Sequence, residues 1–208
     1  MKRMIPAMLC VVTLAGCGGL KSSRPAEQVY VLHAAPVNVA APAAAVAPPV
    51  AGVLRIPRPD AQPGLDSSRI ALTRAGNELD YFADSRWGES LPKVLAAFAV
   101  ESMAHGGQFE TVVGEATTPV TGDFDLLLTA RHFEAAYAGA VPTARVAFDC
   151  VLLGGAPRRV IGRCDAGAEE PADDNRLGAI VGALERAAQK AIGDAGARAA
   201  ALARSIRK

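Results

Sequence analysis

Apolar residues recur along this chain with two different periods, and the change of period divides it into elements. Residues 144–153 alternate, placing Val146, Phe148, Cys150 and Leu152 on one face, which is the period of a half-buried strand. Residues 124–136, containing Asp125-Leu126-Leu127-Leu128-Thr129, and residues 159–165 read as strands on either side of it. The three together predict an antiparallel meander with one buried face. Further on the period lengthens. Leu177, Ile180, Val181, Leu184, Ala188, Ala191 and Ile192 form one apolar stripe, as in an amphipathic helix. The polar run 169–175 leads into this helix, with Asp173, Asp174 or Asn175 as its cap, and acids suit its positive end. It is expected to run past Ala195 toward Arg204, Arg207 and Lys208, which suit a helix C-terminus.

A second helix is predicted after Ser90, with Pro92 in its first turn and Leu91, Val94, Leu95 and Phe98 on one face. Gly106-Gly107 stops it. Shorter strands are read at 29–32, 53–56, 69–72, 79–82 and 109–113. Pro57 and Pro59 end the second of these, Pro63-Gly64 marks a turn, and Gly76-Asn77 is a hairpin signal. There is no internal repeat. Short strands, a helix, antiparallel strands and a helix predict an α+β fold: one compact domain whose mixed, mostly antiparallel sheet has two main helices packed against it.

The N-terminus belongs to a different class. Lys2 and Arg3 precede a short apolar run, 4–12, interrupted only by Pro6. A transmembrane helix needs about 20 apolar residues, so this run has the proportions of a secretory signal. Leu14-Ala15-Gly16-Cys17 follows and resembles the bacterial lipobox, in which the cysteine thiol carries the lipid. Residues 1–16 are therefore read as signal peptide, Cys17 as the lipidation site, and 17–28 as a tether. About a dozen extended residues reach up to about 40 Å. Gly18 and Gly19, with no Asp after the cysteine, favour the outer membrane over the inner. Residues 34–50 are almost wholly Ala, Pro and Val and read as an extended linker or long surface loop within the domain, 29–208.

Composition narrows the chemistry. The formal net charge of +1 argues against electrostatic binding of nucleic acid, which needs a concentrated basic surface, so no nucleic-acid partner is expected. The three histidines, His33, His105 and His132, fall in no metal-ligand or Ser–His–Asp spacing, so no cofactor, metal or catalytic residue is expected. Asp123 and Asp125 read as a solvated strand start and not as an acid–base pair. Cys10 leaves with the signal and Cys17 is lipidated, so Cys150 and Cys164 remain. In an oxidising compartment they form a disulfide across a hairpin turning at Gly154-Gly155-Ala156-Pro157, or two separate buried thiols. The lone Trp87 is either a partner anchor or a core residue pinning a loop. The basic C-terminal face at Arg198, Arg204, Arg207 and Lys208 is either a contact for anionic groups or a solvated helix end.

Several of these segments together resemble the ABC-type transport auxiliary lipoprotein components. The similarity runs from Tyr30-Val31-Leu32 through Val53-Leu54-Arg55-Ile56-Pro57 and Gly64-Leu65-Asp66-Ser67-Ser68-Arg69-Ile70-Ala71. Its most specific stretch is Leu79-Asp80-Tyr81-Phe82-Ala83-Asp84-Ser85-Arg86-Trp87-Gly88-Glu89-Ser90-Leu91-Pro92. It continues through Asp125-Leu126-Leu127-Leu128, Phe133-Glu134 and Arg145-Val146-Ala147-Phe148 to Asp174-Asn175-Arg176-Leu177. The resemblance implies a non-enzymatic subunit, alone or as a homo-oligomer. It would work beside an MCE-domain periplasmic protein, an ABC permease and an ATPase that move lipids or other hydrophobes between membranes. It makes Trp87, Tyr81 and Arg86 candidates for the partner interface. The rival expectation is a stand-alone lipid carrier, which would show an acyl-sized pocket lined by Leu and Phe.

Overall fold

The computed structural model describes residues 26–34, 48–74, 78–115 and 121–206. The segments read as signal peptide, lipobox with Cys17 and most of the tether, together with residues 35–47, the Gly76-Asn77 hairpin signal, Arg207 and Lys208, lie outside the described residues. The sheet is organised around β7 (Phe124–Ala136). One edge of β7 pairs along its whole length with β8 (Thr143–Gly154), which pairs in turn with β9 (Arg159–Pro171), both antiparallel. These ladders make the sheet mostly antiparallel. The other edge of β7 is shared by three short parallel strands in succession: β2 (Val50–Arg55), β3 (Asp60–Ala61) and β4 (Arg69–Arg74). Outside β4 lie β5 (Glu78–Trp87) and then β1 (Gln28–Tyr30); outside β2 lies β6 (Phe109–Val113).

Two helices close the buried side. α1 (Leu91–Gly106) lies against β6 and α2, while α2 (Leu177–Ser205) crosses β8 and β9. The alternation along β8 places Val146, Phe148, Cys150 and Leu152 under α2, each no more than 1 % exposed. α2 answers with Ile180, Val181, Leu184 and Ile192 and with alanines at 183, 187, 188, 191, 195, 199, 200 and 203, all buried. Small side chains let the helix axis come close to the sheet: a Cβ on Gly162 of β9 would meet Leu202 at 2.6 Å. The result is the expected α+β domain, two helices on a large mixed sheet.

Local chemistry departs from the sequence reading at four places. β5 does not stop near Phe82. It continues through a wide bulge, where Asp84 takes a positive φ of 49°, and re-enters the ladder with Arg86 opposite Arg69. Trp87 is consequently the last residue of a strand and not part of a connecting loop. β9 likewise runs on through Glu169, Glu170 and Pro171, since a strand with a partner on one side only tolerates charge and proline. Ser90 occupies the N-cap of α1 with extended backbone but makes no side-chain cap bond; its hydroxyl accepts from Arg58 Nη2 at 3.1 Å. The N-cap of α2 is Arg176, and Asp174 instead accepts from the Arg176 backbone N–H at 2.7 Å and from its guanidinium. Gly107, at φ 64°, ends α1 in the left-handed conformation that favours glycine.

Candidate functional site

Trp87, Tyr81 and Arg86 sit on one strand, and their environments differ. Trp87 is 1 % exposed and meets Phe133 of β7 edge to face, ring centroids 5.8 Å apart. It joins β5 to the central strand from inside, so the core alternative replaces the partner-anchor expectation for this side chain. Tyr81 and Arg86 are half-buried and reach the surface. The Tyr81 hydroxyl donates to the Gly64 carbonyl at 2.8 Å, and the Arg69 guanidinium stacks 3.5 Å above its ring. Arg86 donates from Nε to Glu27 at 2.8 Å and from Nη1 to the Trp87 carbonyl at 3.1 Å. Glu27 precedes β1, so this arginine ties the segment leading into β1 to β5. Together the pair forms a small polar surface beside the point where the chain enters the domain.

The carboxylates at the start of β7 are placed differently from a solvated pair. Asp125 is only 4 % exposed and lies between Arg55 Nε at 2.6 Å and Arg158 Nε at 3.0 Å. The adjacent carboxylate raises the Arg55 guanidinium above its ordinary pKa. Arg158 also donates to the carbonyls of Asp123 and Gly122 at 3.0 and 2.8 Å, fixing the β8–β9 turn onto β7. Asp123 remains exposed and accepts from the Val53 backbone N–H at 2.8 Å. Its carboxylate fills the space beside Gly52, whose φ of 98° and absent Cβ are both required there. These acids do structural work, since each carboxylate accepts from an arginine or a backbone N–H. That use was hidden in the sequence because Arg55 and Arg158 are far from Asp125 along the chain.

A second buried acid, Glu134 at 3 % exposure, accepts from the Phe133 backbone N–H at 2.7 Å and meets His132 Nδ1 at 2.9 Å. It faces a groove of about 260 Å³ bounded by Gln62, Arg131 and Arg145. His105 sits in the last turn of α1. Among the described residues, no group of three or more His, Cys, Asp or Glu could hold a metal ion. Cys150 and Cys164 are directly opposite across β8 and β9, with sulfurs 2.01 Å apart and Cα atoms 4.9 Å apart.

The described surface carries grooves, and an apolar one of about 620 Å³ follows the outer side of α1 past Ala96, Ala97, Val100 and Ala104. Its walls are alanine, valine, glycine and charged residues, not the Leu and Phe of an acyl pocket. Leu95, Phe98, Leu126, Phe148, Ile180 and Leu184 instead fill the layer between helices and sheet. No described helix is long and apolar enough to cross a membrane.

Comparison with known proteins bears on the whole of this arrangement. A crystal structure of a DUF330-family protein from Xanthomonas campestris superposes with a TM-score of 0.75 at 21 % identity, covering 86 % of this chain and 98 % of the other. A second solved protein, uncharacterized, reaches 0.59 at 14 % identity, covering 88 % and 99 %. At these identities the likeness is one of fold. Curated protein sequences give no match. The family model for the ABC-type transport auxiliary lipoprotein component matches residues 30–194, from β1 to the middle of α2, and the chain belongs to that family.

Proposed function

We propose that this chain is a membrane-anchored periplasmic accessory subunit of an MCE/ABC-type system that moves lipids or other hydrophobes between membranes, and that it acts by docking to protein. The observation that carries the reading is the family match across 30–194, on a domain whose interior is filled with side chains. A carrier needs room for its cargo, and the layer between helices and sheet is already occupied by large aliphatic and aromatic groups. Lipid attached at Cys17 holds the domain on the outer membrane, and the tether lets it reach a conduit arriving from the inner membrane. The lipidated protein takes part as a binding subunit and performs no reaction. Tyr81 and Arg86, beside the tether, are the docking residues, since both offer polar and aromatic contact area at the surface. Arginine and tyrosine are enriched at binding hot spots.

A photo-crosslinking amino acid placed at position 86 in cells tests this directly. Crosslinks to an MCE-domain protein support the docking reading. Crosslinks to lipid alone give precedence to the stand-alone carrier.

A further inference from the structure

The β8–β9 turn and the last turn of α2 meet at one end of the domain. Ile206 stands between two grooves there: one of about 600 Å³ shared with Phe124, Pro157 and Arg158, and one of about 370 Å³ shared with Arg159 and Val160. Ile206 and Val160 are each 55 % exposed, the two most exposed large aliphatic residues of the described chain. Charge at this end is unbalanced. Asp125 is buried between Arg55 and Arg158, one acid against two cations, and the exposed Asp123, which accepts only from a backbone N–H, offsets one further charge. Arg159 is exposed and, among the described residues, forms no ion pair. Arg204 donates to the Pro48 carbonyl, an uncharged acceptor, and so keeps its positive charge. Arg207 and Lys208 follow Ile206 in the sequence.

We propose that this end of the domain docks on the anionic phospholipid headgroups of a bilayer, with Ile206 and Val160 entering the headgroup boundary and Arg159 and Arg204 facing phosphates. Aliphatic tips flanked by cations are the composition of interfacial membrane contacts. Each basic side chain near an anionic surface adds roughly a fivefold gain in binding. An acidic protein would satisfy the arginines but gives no reason for two bare aliphatic side chains beside them. The position of the tip in the fold supports a second membrane contact in addition to the anchor. The tether enters β1, which joins the C-terminal half of β7 through β5 and β4; the β8–β9 turn lies at the N-terminal end of β7, with Gly154 opposite Phe124. The inference rests on the membrane-anchored reading above and adds a surface that that reading does not use.

The test uses the full mature lipidated protein in dense phosphatidylcholine donor vesicles. Labelled acceptor vesicles of phosphatidylcholine, with or without phosphatidylglycerol, are then added and sedimented with them. Acceptors containing phosphatidylglycerol should be captured, and capture should fall as salt rises. Arg159→Glu, which changes the local charge by two, should lower it about 25-fold. Val160→Glu with Ile206→Glu should lower it about tenfold or more. These side chains make no internal polar contact, and circular dichroism confirms the fold of each variant. Equal capture of both acceptors, or variants that bind as the wild type does, overturns the proposal. So does loss of an MCE-domain protein from the variants with vesicle binding unchanged, which would assign the tip to a protein partner. Failure of the wild type to recover any transporter component would count against the docking function and leave the vesicle result standing.

Discussion

Replacing Trp87 by alanine separates a core role from a surface role more sharply than any other change to β5. The indole is 1 % exposed, and its partner Phe133 is exposed to the same extent. Removing a buried aromatic side chain costs about 3–5 kcal/mol in transfer free energy and cavity formation. Within that, the edge-to-face contact at 5.8 Å and 74° contributes about 0.5–1.5 kcal/mol. Domains of this size lose roughly 2–4 °C in melting temperature per kcal/mol, so Trp87→Ala should melt about 6–20 °C below the wild type. Trp87→Phe, which keeps a ring against Phe133, should lose less than half as much. Guanidinium denaturation followed by far-ultraviolet circular dichroism reads the change without depending on the fluorescence that the substitution removes. At low temperature, where the variant is still folded, capture of partner should be unaffected. A Trp87→Ala protein within about 1 kcal/mol of wild-type stability that nonetheless loses its partner would refute this assignment, because the ring would then be spending its energy on another molecule.

Three further outcomes follow from particular contacts. Protein recovered from an oxidising compartment should show Cys150 and Cys164 protected from alkylation until reduced, and reduction should cost about 3 kcal/mol, the value for a closed loop of about this length; free thiols in unreduced protein would contradict it. Asp125→Asn should destabilise by about 1–3 kcal/mol in urea, since the residue is buried while Arg55 and Arg158 remain partly solvated and recover some hydration, and an unchanged midpoint would remove the ion triad from the account. Burial raises the Tyr137 phenol above its ordinary pKa. Its folded value therefore exceeds the unfolded one, so its contribution is intact below the unfolded value and is lost as pH rises through the folded one. Tyr137→Phe should make alkaline unfolding shallower in that window, and a steeper dependence would reverse the sign of the argument.

How much of this was legible in the sequence depends on whether local pattern or distant partners decided the structure. β6 and β7 have the bounds their apolar runs predict, and β8 differs by one residue at each end, because period-two alternation over a buried face leaves little freedom of register. α1 is likewise punctuated by Pro92 and Gly107 at its two ends. The apolar pattern ends this strand at Phe82, whereas the buried Ser85 and the bulge at Asp84 carry β5 on to Trp87. The pattern ends β9 at Asp165 and gives the polar run 169–175 to the approach to α2, whereas β9 runs on to Pro171 with Glu170 held by Lys190 from α2. The two-residue β3, set between prolines, has no pattern to detect. At the candidate site, the sequence identified Tyr81, Arg86 and Trp87 as a group but could not separate them. Burial of Trp87 depends on Phe133, far along the chain. The burial of Asp125 depends likewise on distant partners, arginines contributed by β2 and by the β8–β9 turn.

The central claim is that the anchored domain works as a docking subunit of an ABC-type transport system. It is tested most directly by recovering tagged wild-type protein and a Cys17→Ala variant from native membranes and identifying what accompanies each by mass spectrometry. The account predicts that the wild type brings an MCE-domain protein with its permease and ATPase, and that the variant, unable to carry the lipid, leaves the outer-membrane fraction and recovers much less. Wild-type protein that fractionates with the outer membrane and yields bound lipid but no transporter component would contradict it.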